Sequence, residues 1–296
     1  MRELFVERNF AESSLEIIRQ ANKIIELYRA QGYILTLRQL YYQFVARDMI
    51  PNTQQSYKRL GSIVNDARLA GLVDWESIED RTRNLESNAH WNSPAAGIQA
   101  LRDQYRIDMW DNQRFRVEVW IEKEALVGVI EPVCRELDVD FFACRGYVSQ
   151  SEQWRAGMRA RTRYNRMEQE TVILHFGDHD PSGIDMTRDN NDRLAMFAGY
   201  RGKPTVERIA LNMDQVERYN PPPNPAKQTD SRFGGYIAEY GDQSWELDAL
   251  EPRVIDQLIR ENVEPYCNQD LWDAKLEQVE EEIATLDRIL EDLNNG

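Results

Sequence analysis

The stretch VILHFGDHDPSGIDM, residues 172–186, decides how this chain is read. A run of β-branched and apolar residues stops at Gly177, and Asp178, His179 and Asp180 follow at once, with Pro181 and Gly183 behind them to turn the chain. Such a run predicts a buried parallel strand ending at the rim of a sheet, where open α/β folds hold their ligands. Two carboxylates delivered there make a hard, oxygen-rich site suited to Mg²⁺. Aspartate at a strand-to-helix junction is also an ordinary helix cap, so Asp178 and Asp180 carry a purely structural alternative.

Working outward, FRVEVWIEKEAL, residues 115–126, alternates Val117, Val119 and Ile121 and ends in Glu122 and Lys123 before a helical pattern begins. Further strands are predicted over 139–143, 172–176 and 206–211 with helices between them, an alternation that implies parallel pairing in an α/β domain. One glutamate after an early strand, then D-x-D after a later one, resembles the Toprim pattern. In that family the glutamate is an acid/base group and the aspartates hold metal for cutting or joining phosphodiester bonds. Glu246 and Asp248, in SWELDALEP, are read as caps of the helix after Pro252 in preference to further metal ligands.

The N-terminal third reads as helices. Ser13 with Glu16 predicts a capping box for a first helix closed by Gly32, Thr36 with Gln39 a second running to about Arg47, and Thr53 a third ending near Gly71. Three helices followed by short extended pieces predict a winged-helix module over 1–84. The third helix carries Lys58, Arg59 and Arg68 beside Gln54, Gln55 and Asn65, a face fit for a DNA groove or simply a solvated surface. On a helical projection Leu37, Leu40, Tyr41 and Phe44 share one face, and Tyr42 falls at its edge beside Arg38. Tyr41 is therefore expected to pack and Tyr42 to point out, where a guanidinium and a metal would ease ionisation of its phenol.

The remaining divisions are a connector over 85–111, the sheet domain over 112–265 and an amphipathic helix over 266–296. In that last segment Leu276, Val279, Ile283, Leu286, Leu290 and Leu293 form an a/d seam, for a dimer contact or for packing on its own domain. NPPPNPAKQTDSR, residues 220–232, predicts an exposed loop, since its prolines remove donors and fix φ.

At 296 residues, 42% hydrophobic and 29% charged, the chain suits a soluble protein of two domains. No apolar run approaches the ~18 residues of a membrane span, and MRELFVERNF has no signal-peptide core, so a cytoplasmic protein without a membrane partner is expected. Three scattered cysteines and three scattered histidines support neither a disulfide framework nor a zinc site. The net charge of −15 argues at first against nucleic acid. Residues 1–110, however, hold 14 of 36 basic and 14 of 51 acidic side chains, so all the excess acid lies beyond them. Arg155, Arg159, Arg163 and Arg166 fall along one predicted helical face, a stripe for DNA backbone or for a dimer partner's carboxylates.

Arg38-Gln39-Leu40-Tyr41-Tyr42, Glu122-Lys123 and Asp178-His179-Asp180-Pro181-Ser182-Gly183 stand in the order found in the topoisomerase VI A subunit and its meiotic double-strand-break relatives, and the chain resembles that family over residues 35 to 260. The resemblance implies a winged helix joined to a Toprim domain and a Mg²⁺-dependent transesterase. Tyr42 would form a 5′-phosphotyrosyl link to double-stranded DNA, assisted by Arg38. Glu122, Asp178 and Asp180 would hold the metal, and Lys123 with the other basic residues would hold DNA. It further implies a homodimer whose sites combine the tyrosine of one chain with the acids of the other, and a separate ATPase subunit for strand passage. The family's Gly-x-Gly-Tyr-Pro segment stands here as Cys144-Arg145-Gly146-Tyr147-Val148. The alternatives are a Toprim endonuclease using metal-activated water, with Tyr42 merely structural, and a non-catalytic DNA-binding protein.

Overall fold

The computed structural model describes residues 2–79 and 88–295. Its first three helices, α1 (Glu12–Arg29), α2 (Leu37–Ala46) and α3 (Gln54–Leu69), close around one core that includes Ile25, Tyr28, Leu40, Phe44, Leu60 and Val64. Thr36 and Gln39 make the predicted reciprocal cap at the start of α2. The Ser13–Glu16 box is not used: the helix starts after Ala11, which has no side-chain cap, and Ser13 lies inside the first turn. Among the described residues no hairpin wing follows α3. Extended pairing there is limited to the single bridges Leu4 to Ala70 and Leu35 to Ile78. The predicted boundary at 84/85 lies outside the described residues.

Next come α4 (Pro94–Gln104), β1 (Phe115–Ile121), α5 (Val127–Glu136), β2 (Asp140–Ala143), α6 (Gln150–Met167), β3 (Glu170–Phe176), α7 (Pro181–Ala198) and β4 (Thr205–Ala210). The four strands form one parallel sheet in the order β2-β1-β3-β4. Val117, Val119 and Ile121 join Val172, Leu174 and Phe176 in the larger core, while Trp120 and Ile173 pack on the other face. Covered on both sides, β1 and β3 are the central strands, and β3 has the near-continuous apolar run that such a place favours.

Beyond the sheet lie α8 (Met213–Tyr219), β5 (Asn224–Pro225), α9 (Phe233–Tyr240), β6 (Gln243–Ser244), α10 (Pro252–Val263) and α11 (Gln269–Asn295). The 220–232 segment is mostly loop, yet Asn224 and Pro225 pair antiparallel with Ser244 and Gln243 in a two-residue ladder short enough to tolerate proline. Helix α11 lies along α4, where Arg102 pairs with Asp287 at 2.9 Å and Tyr105 donates to Glu282. Leu276, Ile289 and Leu293 of that helix remain exposed. No helix among the described residues is long and apolar enough to cross a membrane.

Candidate active site

Parallel pairing sets the C-terminal ends of β1 and β3 side by side, so Glu122 and Asp178 emerge together. The Glu122 amide donates to the Phe176 carbonyl at 2.8 Å, and the Asp178 amide donates to Glu122 Oε2 at 2.9 Å. The glycines of the motif have steric reasons. A Cβ on Gly177 would stand 3.1 Å from Glu122 Oε2, and one on Gly183 would stand 2.2 Å from the Asp178 carbonyl oxygen. Gly183 therefore lies inside the first turn of α7 and lets that helix start against the loop, instead of serving as a turn residue.

His179 draws a second segment into the site. Its amide donates to the Trp245 carbonyl at 2.8 Å, and the Trp245 amide donates back at 2.9 Å. That exchange brings Glu246 and Asp248 to the rim, and the Leu247 amide donates to Asp178 Oδ1 at 2.8 Å. Neither acid caps α10, whose N-cap residue is Glu251. Instead Lys123 Nζ lies 3.0 Å from both Asp178 Oδ2 and Asp248 Oδ1 and also pairs with Glu246. The ammonium of Lys123, a residue expected at DNA, lies among three carboxylates of its own chain.

The third contribution comes from the N-terminal helices. Arg38 of α2 donates to Glu246 Oε2 at 3.0 Å and to the Tyr42 hydroxyl at 3.4 Å, and its Nε forms an ion pair with Asp248 Oδ2 at 2.9 Å. Tyrosine, guanidinium, ammonium and carboxylates thus meet within one chain, whereas the resemblance implies that tyrosine and acids come from different chains. Tyr42 does not point out into solvent. Both Tyr41 and Tyr42 are 5% exposed, with Tyr41 donating to Asn52 Oδ1 at 3.0 Å.

The electrostatics follow from burial. Burial, then Asp248 and Glu246, push the Tyr42 phenol up to about 12, against the help of Arg38 and Lys123. The expected ease of ionisation is therefore reversed in the protein alone. Burial also raises Glu122, reinforced by Asp180, and raises Asp178 further, reinforced by Glu122, Glu246 and Asp248. Burial would raise Glu246 as well, but Lys123 and Arg38 hold it below its usual value.

Beneath the loop lies Arg208 of β4, half-buried and engaged mostly with oxygens of the backbone. It donates to the carbonyls of Gly183 at 2.9 Å, Asp178 at 2.7 Å and Leu211 at 3.0 Å. It fixes the D-x-D loop from below without consuming a carboxylate. Sequence reading passed over Arg208, although a lone arginine in a predicted buried strand is the signal that could have found it.

Asp180 caps α7, accepting from the Gly183 amide at 2.6 Å and from Ser182 at 2.9 Å, and its Oδ2 lies 3.7 Å from Lys227. The structural alternative for this residue is therefore realised. Among the described residues no three His, Cys, Asp or Glu side chains form a ready-made metal shell. The donor type nonetheless suits a hard divalent cation: Glu122 and Asp178 bring carboxylate oxygens together at the rim, where Lys123 at present pairs with Asp178.

The predicted DNA-binding arginines divide. Arg159 and Arg163 do not form a free stripe: they bind the buried Glu118 of β1 at 2.7 Å and 2.6 Å. Arg155 pairs with Glu152, and Arg166 is exposed. Arg68 turns inward, with its guanidinium 4.7 Å from the Trp75 ring centroid and donating to the Trp75 and Ile78 carbonyls. Lys58 and Arg59 are exposed on α3.

No protein family and no curated protein matches this chain.

Proposed function

We propose that this chain is a DNA-cleaving transesterase of the topoisomerase VI A type, with the N-terminal helices acting as a winged-helix unit and the parallel sheet as a Toprim domain. The observation that carries the reading is the meeting of Tyr42 and Arg38 with Lys123, Asp178, Glu246 and Asp248 beside Glu122. A nucleophile, two cations and a set of acids at the C-terminal rim of a parallel sheet make up the parts list of phosphoryl transfer.

In this reaction the Tyr42 oxygen attacks a backbone phosphorus, the bond to the 3′-oxygen breaks, and a 5′-phosphotyrosyl link forms. The phenolic proton leaves and the departing 3′-oxygen gains one. Glu122, with its carboxyl raised by burial, is suited to hold that proton. Arg38 orients the hydroxyl, and Lys123 keeps its positive charge because Asp248, Asp178 and Glu246 outweigh its burial. Asp178 and Asp180, with Glu246 as a further donor, would hold Mg²⁺, which would neutralise charge on the phosphate. Lys58, Arg59 and Arg166 are exposed cations available to the DNA backbone.

A second reading, hydrolysis by water, is favoured by the burial of Tyr42 and its raised phenol. Incubation with duplex DNA and Mg²⁺ followed by denaturation separates the two. The transesterase leaves DNA bound to protein, and Tyr42→Phe abolishes both adduct and cutting. A hydrolase cuts equally well with phenylalanine. Asp178→Asn stops either chemistry.

A further inference from the structure

A cavity of about 300 Å³ lies between Arg38 and Tyr42 of α2, the start of α3 and Asn224. Tyr41, Tyr42 and Tyr57 wall it, with ring centroids 5.3 Å apart for Tyr41 and Tyr42 and 5.3 Å for Tyr41 and Tyr57. Asn52, which accepts from the Tyr41 hydroxyl at 3.0 Å, and Asn224 also line it, joined by a 2.7 Å hydrogen bond from Asn52 Nδ2 to Asn224 Oδ1. Arg38 is the one charged residue of the lining, and no carboxylate contributes to it among the described residues. A second cavity, of about 340 Å³ beside Glu118, is instead lined by Glu118, Asp140 and Glu152.

We infer that the tyrosine-walled cavity takes one unpaired base of the bound DNA strand, an inference that rests on the reading proposed above. The volume is at the small end of the range for ligand pockets, ~300–1,000 Å³, and suits a single flat ring system. Tyr57, the least buried of the three rings, offers stacking surface to any base, and the Asn224 amide nitrogen, which donates to no group in this cluster, offers a hydrogen bond to its edge. In a chain of net charge −15 the absence of lining carboxylates matters, because the sugar-phosphate must approach with its base. Tyr42 and Arg38 belong to both the cavity and the acid site, so a phosphate held over the Tyr42 hydroxyl carries its neighbouring base to the cavity mouth. The strand to be cut is therefore opened by one base at the site.

Three labelled DNAs test this by fluorescence anisotropy, with Ca²⁺ replacing Mg²⁺ to hold back cleavage: a perfect duplex, the same duplex with a one-nucleotide bulge, and the bulge made abasic. The base-bearing bulge should bind about tenfold tighter than the other two, the size of one base–aromatic stack. Tyr57→Ala should erase that preference while leaving the abasic bulge unchanged, and Tyr57→Phe should keep it. Asn224→Ala, outside the helical cores, should weaken the preference if Tyr57→Ala does not fold. Equal binding of the two bulges, or a uniform loss with Tyr57→Ala, overturns the inference. Protein that forms the covalent adduct yet shows no preference overturns this inference alone. Protein that binds none of the three DNAs overturns the transesterase reading with it.

Discussion

Glu118 and Glu122 leave the same strand four residues apart, and the structure treats them in opposite ways. Glu118 sits mid-strand under α6 with its oxygens filled by Arg159, Arg163 and the Trp120 indole, and these partners overcome its burial and hold its carboxyl down at about 2. Glu122 stands at the strand end among other acids, and burial raises it. A buried charge with its partners supplied locally helps to specify the fold. An acid at a strand end whose carboxyl is raised even though Lys123, Arg208 and the Asp178 amide favour its charge is a functional candidate.

The largest expected effect separates the two residues by activity. Glu122→Gln should lower cleavage about 10³-fold or more with the fold intact, whereas Glu118→Gln should leave cleavage per folded molecule unchanged. Equal activity losses would erase the distinction.

The site drawn within one chain gives a second test. Tyr42→Phe and Asp178→Asn proteins, each inactive, should stay inactive when mixed, because each intact half would sit beside a damaged one. Recovery of cleavage on mixing would return the site to two chains.

Acid titration reads Glu118 directly. Its folded pKa is depressed below the unfolded value, so its contribution of about 3 kcal/mol is present above about pH 4.5 and is lost as pH falls toward about 2. Unfolding by urea at stepped pH should show that loss in the native protein and a flatter profile in Glu118→Gln. The cleavage site runs the other way: with the Tyr42 phenol at about 12, the phenolate fraction grows about tenfold per pH unit below that value. Single-turnover cleavage should therefore climb between about pH 6 and about pH 9, and a flat profile would speak for another nucleophile. The smallest effect belongs to the exposed face of α3, where Lys58→Ala with Arg59→Ala should reduce the salt slope of DNA binding by about two, with no change in folding.

Much of the frame was legible in the chain itself. The near-continuous apolar run ending at Phe176 and the alternating one ending at Ile121 located the central strands. Glu122 and Asp178 were legible for the same reason, as the first acids after those runs. Glu246 and Asp248 were not, since only the backbone exchange between His179 and Trp245 brings them in, and no local pattern encodes it. The arginine pattern of α6 showed which residues share a face but not what that face meets. Glu118, an acid inside an apolar strand, was the missing clue. A helical projection put Tyr42 at the edge of α2, yet the packing of the acid segment against α2 covers that edge.

The most direct measurement is to trap the adduct, digest the protein with trypsin and the DNA with nuclease, and locate the nucleotide remnant by fragment-ion mass spectrometry. The remnant is predicted on the peptide Gln39-Leu40-Tyr41-Tyr42-Gln43-Phe44-Val45-Ala46-Arg47, with the fragment ions assigning it to Tyr42. A remnant on another residue, or efficient strand cutting with no remnant at all, would contradict the account.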